Sequence, residues 1–261
     1  MFTWRHILWL AICAAIIIML VKSFDRIKPK LTQVLKTALI TAAASELVKV
    51  FSTIQLLPSA DGTLIGPYIP MNHLPLHFCS IQILLIAYSL FTENVKNREK
   101  VFAFMAPTCV IGGLLALAMP SIFTTTIPVE EAFIRPVSYQ FFIFHAMLVA
   151  LGLIITRSQE IEWKFSHYTS SLMLVYLLGF ISIYLNSLLA SPAYINGRLI
   201  SVDFWTNFFF TYQNPLNIPM RELWQWYLYL LLMVVSAAIL LFLFYYPLIK
   251  KKGSNKKVTV S

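Results

Sequence analysis

The residues best suited to chemistry are His73, His77 and Cys79, which lie within seven consecutive residues. They open a run of apolar residues that extends to about Thr92. Titratable side chains are expensive to bury in a membrane, so those found there are candidates for function. A thiol becomes a nucleophile when a base removes its proton, and imidazole is a common base. These three residues are therefore the first candidates for a reactive site.

The spacing of these residues decides which of them can act together. His77 and Cys79 are two positions apart, so on a regular helix their side chains point about 200° from each other. A base for Cys79 must therefore come from another helix, and His145, within the apolar segment Phe141–Met147, is the clear candidate. We predict a Cys79 nucleophile and a His145 base. His77 and the free N–H groups at the start of the helix would stabilise an oxyanion.

Three further residues, Glu46, Asn186 and His73, are predicted to support or orient this pair. A catalytic base usually needs an orienting third group, and Glu46 or Asn186 would supply it to His145. His73 and His77 are four positions apart and would share a helical face. A metal site of His73, His77 and His145 would take two ligands from one helix and one from another. Three histidines from two helices are weak evidence for a metal site, so we predict no metal and no other cofactor.

The same residues have structural interpretations that the sequence leaves open. Free cysteine is among the most buried residue types and is usually inert. Glu46 and Lys49 are three positions apart and would form an ion pair inside the bundle. Gly179, Ser182 and Asn186 fall on one stripe of a helix, which is typical of a seam between two helices.

The composition indicates a membrane protein. The chain of 261 residues is 59% hydrophobic and 12% charged, whereas soluble domains carry about 25% charged residues. The apolar residues form long runs, which predict an all-α fold, a polytopic transmembrane helix bundle. The net charge of +9 comes largely from short loops and the end of the chain. Basic residues placed in this way set membrane topology and do not indicate nucleic-acid binding.

Seven apolar segments are predicted to be spans. They run approximately from His6 to Val21, Leu31 to Leu57, Leu74 to Thr92, Val101 to Thr126, Val137 to Thr156, Ser170 to Ala190 and Leu223 to Ile249. Residues 1–249 would then form a single transmembrane helical domain, and residues 250–261 a basic, disordered cytoplasmic tail. In the fourth span, Pro107 frees a carbonyl group that another part of the protein must meet. Gly112 and Gly113 there allow close packing, or leave room for a bound acyl chain.

The distribution of basic residues predicts the orientation of the bundle. With the N-terminus outside, the inside segments hold Lys22, Arg26, Lys28, Lys30, Lys96, Arg98, Lys100, Arg157, Lys164 and the lysines of the tail, and the outside segments hold Arg5, Arg135, Arg198 and Arg221. This asymmetry predicts an outside N-terminus and an inside C-terminus. Cys79, His145 and Asn186 would then all lie in the outer half of the bundle.

The motif Leu-Pro-Leu-His-Phe-Cys at residues 74–79, followed by Phe-His-Ala at residues 144–146 of a later span, resembles the YwaF-like family of bacterial integral membrane proteins. Their eukaryotic relatives are multi-spanning membrane proteins reported as acyltransferases of ether phospholipids. The resemblance implies a cysteine nucleophile and a distal histidine, which correspond to Cys79 and His145. A more remote likeness is to the androgen-induced-gene group of lipid hydrolases, which pair a threonine with a histidine. Because a thiol stands here, cysteine is the favoured nucleophile.

The function predicted from these residues is lipid acyl transfer by a membrane-embedded acyltransferase or hydrolase. Two alternatives stay open. In the first, a non-enzymatic carrier or lipid-binding protein uses the histidines and the pair Glu46–Lys49 to line a path or handle protons. In the second, the protein is a structural membrane subunit. We expect membrane lipid as a partner, no nucleic acid, and a multi-pass location in the cell membrane. The sequence identifies no protein partner.

Overall fold

The structure is a computed structural model that describes residues 2–59, 61–62, 65–195, 198–216 and 218–258. Its helices are α1 (Trp4–Ile27), α2 (Leu31–Thr53), α3 (Phe78–Phe91), α4 (Val95–Ala118), the short α5 (Ile122–Thr125), α6 (Pro136–Arg157), α7 (Phe165–Leu188) and α8 (Leu223–Val258). Antiparallel hairpins occupy two of the loops and consist of β1 (Gln55–Pro58) with β2 (Ile65–Tyr68), and β3 (Ser191–Ile195) with β4 (Arg198–Asp203). The fold is therefore mostly helical, as predicted, with two small hairpins that the sequence analysis did not predict.

Five of these helices, α1, α4, α6, α7 and α8, are long and apolar enough to cross a membrane. The other two long helices differ for separate reasons. Helix α2 contains Lys36, Glu46 and Lys49. Helix α3 has 14 residues, or about 21 Å of length, which is less than the roughly 30 Å of hydrocarbon in a bilayer. The seven predicted segments all contain a helix, and whether all seven cross the membrane stays a prediction.

Contacts between helix ends show the relative directions of three helices. The His6 side chain in α1 hydrogen-bonds through Nε2 to the carbonyl oxygen of Leu117, at 2.9 Å, so α1 begins where α4 ends and the two run in opposite directions. At the opposite end, Arg157 of α6 donates to Asp25 of α1 at 2.6 Å, so α1 and α6 end together and run in the same direction. Helix α4 and the next long helix, α6, therefore run in opposite directions, as expected of a bundle whose connections are short. The side of the membrane that each end faces stays a prediction.

Helices α4 and α6 form the centre of the bundle and pack closely because glycine lies at their contact. A Cβ atom on Gly152 of α6 would lie 2.6 Å from the carbonyl oxygen of Ala106. One on Gly113 of α4 would lie 2.6 Å from Cγ2 of Val149. Small residues allow helix backbones to approach in this way. Gly113 is thus covered by α6. The sequence analysis suggested that this glycine could leave room for an acyl chain, but helix packing fills that space.

Pro107 breaks the hydrogen-bond ladder of α4, and a tyrosine from α8 compensates. Proline has no N–H to donate to the residue four positions earlier, which is Ala103. The Tyr245 hydroxyl donates to the carbonyl oxygen of Ala103 at 2.8 Å, and it also lies 2.7 Å from Oγ of Ser171 in α7. The predicted need for a partner at this proline is confirmed. The same contact joins α4, α7 and α8.

The end of the chain differs from the predicted boundary of the last span. Helix α8 extends to Val258, whereas the span was predicted to end near Ile249. The side chains from residue 252 onward and all of residues 259–261 lie outside the described part of the structure. The separation of a disordered tail from the bundle therefore stays a prediction.

Candidate functional site at the start of α3

The segment before α3 is a tight turn, which corrects the predicted start of the third span. Helix α3 begins at Phe78, and His77 is its N-cap residue, so Pro75 does not lie in the first helical turn. The ring of His77 hydrogen-bonds through Nε2 to the carbonyl oxygen of Asn72 at 2.8 Å. This contact closes residues 72–77 into a turn. The prediction that His73 and His77 share a helical face is therefore wrong. Non-helical backbone at membrane depth must be buried in protein or line a cavity.

Cys79 is the second residue of α3 and lies partly buried at its first turn. Its side chain packs against a core cluster that includes Cys109 of α4 and Phe144 and Leu148 of α6. It therefore faces the bundle interior. Within the described residues, the backbone N–H groups of Phe78 and Cys79 have no acceptor, as is usual in the first turn of a helix.

His145 is 7% exposed and lies on α6, the helix that also presents Phe144 to this cluster. Its Nδ1 atom lies 2.6 Å from the carbonyl oxygen of Phe141. A carbonyl group only accepts hydrogen bonds, so Nδ1 carries the proton and the neutral ring presents a lone pair at Nε2. Nε2 has no hydrogen-bond partner among the described residues. A histidine held in this tautomer has the form that a general base requires.

The start of α3 and the part of α6 that carries His145 both lie against the paired glycines of α4. A Cβ atom on Gly112 would lie 3.4 Å from the Phe78 ring, and one on Gly113 would lie 3.1 Å from the carbonyl oxygen of His145. No hydrogen bond joins Cys79 to His145 in the described part of the chain. The structure thus brings the three predicted catalytic residues to the same end of the bundle core, and their direct coupling stays a prediction.

Glu46 and Lys49 form an ion pair at 2.5 Å on α2, as the spacing predicted. Both side chains are largely buried. Helix α2, which carries them, contacts the turn at residues 71–73. Glu46 makes no described hydrogen bond to His145, so it does not orient that ring directly. Burial lowers the pKa of His73 below its ordinary value of 6.5, and the nearby charges of Lys49 and His77 lower it further. His73 is therefore favoured in its neutral form.

Asn186 organises the loop before α8, and among the described residues it makes no hydrogen bond to His145. Its Oδ1 accepts from the backbone N–H of Phe208 and from Oγ1 of Thr206, both at 2.9 Å. Its Nδ2 donates to the carbonyl oxygen of Phe208 at 3.1 Å and to Thr211 Oγ1 at 2.9 Å. The ring of Phe208 packs edge-on to His77, with centroids 4.9 Å apart. Asn186 therefore positions His77 through Phe208.

The predicted stripe of Gly179, Ser182 and Asn186 is a seam with this loop, not with another helix. Ser182 Oγ lies 3.0 Å from Thr211 Oγ1. Gly179 has nothing within 4 Å of the position that a Cβ atom would take. A helical pattern shows which residues share a face, but it does not distinguish a helix from a folded loop as the partner.

A polar seam between α3 and α4 was missed by the sequence analysis. Gln82 is 1% exposed; its Nε2 donates to Thr108 Oγ1 at 3.1 Å, and its Oε1 accepts from Cys109 Sγ at 3.3 Å. Gln82 lies three positions after Cys79, so the two share a helical face. A glutamine inside an apolar run was the signal that indicated this contact.

The described residues include no group of three or more His, Cys, Asp or Glu side chains that could hold a metal ion. In the comparison with protein families, the chain matches the TMEM164 family over residues 1–246. No curated protein and no solved structure match the chain.

Proposed function

Since the chain belongs to the TMEM164 family of membrane proteins, we propose that it is a membrane-embedded lipid acyl-transfer enzyme, with Cys79 as nucleophile and His145 as base. The observation that carries this proposal is the hydrogen bond from His145 Nδ1 to Phe141, which leaves Nε2 available as a base inside the bundle core. The resemblance to YwaF-like proteins and to their ether-phospholipid acyltransferase relatives supports the same pair of residues.

The proposed reaction has two steps that His145 couples. Its Nε2 accepts the thiol proton of Cys79 while Sγ attacks the carbonyl carbon of a lipid ester. The ester C–O bond then breaks, and His145 returns the proton to the departing alkoxide, which leaves a thioester on Cys79. In the second step an acceptor hydroxyl group, from a lysolipid or from water, attacks the thioester. Its proton passes through His145 to the thiolate that leaves.

The start of α3 supplies groups suited to stabilising the oxyanion of these steps. The N–H groups of Phe78 and Cys79, which have no acceptor among the described residues, lie beside the sulfur, and the positive end of the helix dipole favours negative charge there. In this scheme His77 adds a nearby imidazole, which Phe208 and the turn at Asn72 hold in place. Glu46 and Lys49 lie on α2, which contacts the turn that contains His73, and in this scheme they support that turn.

The membrane arrangement belongs to the same proposal. Seven spans with an outside N-terminus and an inside C-terminus place Cys79 and His145 in the outer half of the cell membrane. Helices α1 and α6 run in the same direction and α4 runs in the opposite one, which agrees with this arrangement, and the distribution of basic residues supports it as well. Reporter fusions after Thr92 and after Ile195 test it, because the first is expected inside and the second outside. A fusion after Thr92 that reports outside would contradict it.

The rival function is structural, and one observation favours it. The Cys79 thiol makes no hydrogen bond in the described chain, and it packs against an apolar core cluster, as an ordinary structural thiol does. A structural role predicts that Cys79 does not react and that its replacement by alanine changes only packing.

Trapping of the thioester distinguishes the two functions. The purified full chain in liposomes would be given a phospholipid whose acyl chain carries an alkyne, and peptides would be analysed for acyl groups that hydroxylamine removes. The proposal predicts a label on Cys79 that is lost in Cys79→Ala and in His145→Gln. Cys13→Ala is the matched control and should keep the label, because Cys13 lies in α1. Labelling that persists in His145→Gln would contradict the role of His145.

A further inference from the structure

A groove between α7 and α8 lies at the end of the bundle opposite Cys79. It has a volume of about 350 Å³ and is lined by Phe165, Tyr168, Phe242, Tyr246, Ile249 and Lys250, with Tyr245 alongside. Five of these seven residues are aromatic. A cavity of this size holds a small ligand or part of a larger one.

Two of the three tyrosines that line the groove already use their hydroxyl groups within the protein, and most of its walls are apolar. Tyr245 donates to Ala103 and contacts Ser171. The Tyr168 hydroxyl donates to the carbonyl oxygen of Ala238 at 3.4 Å. The remaining surface consists of ring faces and the Ile249 side chain. A hydrocarbon chain fits such walls without unpairing the hydroxyls of Tyr245 and Tyr168.

Lys250 gives one end of the groove a positive charge. It is exposed, and the described residues provide no acidic partner for it. Its ammonium lies 5.9 Å from the ring centroid of Tyr246. Arg157 and Lys164 at this end are paired, with Asp25 at 2.6 Å and with Glu162 at 2.8 Å. Lys250 is the basic residue that lines the groove, and no acidic side chain among the described residues competes for it.

We infer that this groove binds one anionic phospholipid, with an acyl chain along the aromatic wall and the phosphate on Lys250. The combination of an apolar groove between helices and a basic residue at its mouth matches the chemistry of a lipid that has both parts. The long lysine stem allows the ammonium to reach the phosphate while its methylene groups cover apolar surface. Because Tyr245 joins α4, α7 and α8, lipid bound here would also stabilise the packing of α7 and α8 on the bundle.

The test measures lipid binding to the purified full chain in detergent by native mass spectrometry. The probes are dioleoyl phosphatidylglycerol, dioleoyl phosphatidylcholine and glycerol phosphate. The inference predicts that phosphatidylglycerol binds more tightly than phosphatidylcholine, and that glycerol phosphate without acyl chains does not bind. Lys250→Gln should weaken phosphatidylglycerol binding about fivefold, which corresponds to about 1 kcal/mol for one lysine.

Lys251→Gln is the matched control because Lys251 is exposed and does not line the groove. It should bind phosphatidylglycerol like the wild type. A second variant, Ile249→Trp, fills the groove without changing charge and should also reduce binding. Equal losses in Lys250→Gln and Lys251→Gln would show general attraction to a basic segment and would overturn the inference. Equal binding of the two phospholipids by the wild type would overturn it as well.

Discussion

The Tyr245 hydroxyl donates a hydrogen bond to the carbonyl oxygen of Ala103 at 2.8 Å, at the position where Pro107 leaves that oxygen without a helical partner. A defect in one helix is thereby met by a side chain from another. The contact is buried, since Tyr245 is 0% exposed. It explains how a proline is accommodated in the helix at the centre of the bundle.

Tyr245→Phe should therefore destabilise the protein. The substitution keeps the ring but leaves the Ala103 oxygen unpaired, and we expect a loss of about 1–2 kcal/mol in the free energy of unfolding. Thermal unfolding in detergent measures it. Tyr246→Phe is the matched control because Tyr246 is exposed, and it should unfold like the wild type. Equal stability of both variants would mean that the hydrogen bond contributes nothing.

Gly152→Ala should be destabilising because the backbones of α4 and α6 are in contact there. The new Cβ would lie 2.6 Å from the Ala106 oxygen, and overpacking of this kind costs about 1–3 kcal/mol. Gly179→Ala tests the same change in open space. It should be neutral or stabilising by up to about 1 kcal/mol, because alanine favours helix. Denaturation of the two variants under the same conditions measures their free energies of unfolding. A Gly152→Ala variant as stable as the wild type would contradict the close packing of α4 and α6.

Asn186→Ala should loosen the loop that carries Phe208. Four hydrogen bonds to this side chain would be lost. Hydrogen exchange of residues 206–211 should become faster, whereas exchange in α4 should not change. Ser187→Ala is the neighbouring control, because the Ser187 hydroxyl bonds only within its own helix. Unchanged exchange of the loop in Asn186→Ala would show that other contacts hold it.

Acidification should destabilise the protein through His73. Its pKa is lowered in the folded state, so the unfolded chain binds the proton more tightly. The stability contributed by neutral His73 is present above pH 6.5, the ordinary value, and is lost as the pH falls below it toward the folded pKa. His73→Gln should therefore show a weaker dependence of unfolding temperature on pH in this range. A pH profile identical to the wild type would exclude this role.

Lys49→Gln provides a second variant for the same measurement. Lys49 contributes to the lowered pKa of His73, so its loss should raise that pKa and flatten the pH dependence in part. The size of this partial effect shows how much of the lowered pKa of His73 comes from the charge of Lys49. The rest comes mainly from burial, which is the larger cause.

The sequence predicted the helices better than the site because long apolar runs need no tertiary information. All seven predicted segments contain a helix, and the ion pair Glu46–Lys49 followed from spacing alone. The predicted start of the third span was wrong because the side chain of His77 hydrogen-bonds to the carbonyl oxygen of Asn72. This contact stabilises a non-helical turn at residues 72–77, so the helix begins later, at Phe78. The two hairpins were missed because their segments have no clear alternation of polar and apolar residues.

The site depends on partners that sequence spacing cannot identify. Asn186 was recognised as a residue with a role, but its partners Phe208 and Thr211 lie in a loop whose path depends on the whole bundle. Gln82 gave a visible signal, a polar residue in an apolar run, that becomes interpretable once Thr108 is known to face it. Residue types therefore identify candidates, and the tertiary contacts assign their roles.

The most direct test of the acyl-transfer proposal is the exchange of acyl chains between a phospholipid and a lysophospholipid in liposomes that contain the purified protein. Lipid mass spectrometry would follow the exchange for the wild type, Cys79→Ala, His145→Gln and the control Cys13→Ala. The proposal predicts exchange by the wild type and Cys13→Ala, and a loss of at least about 100-fold in the other two variants, the usual scale for a nucleophile or its base. Exchange by folded Cys79→Ala at the wild-type rate would contradict it.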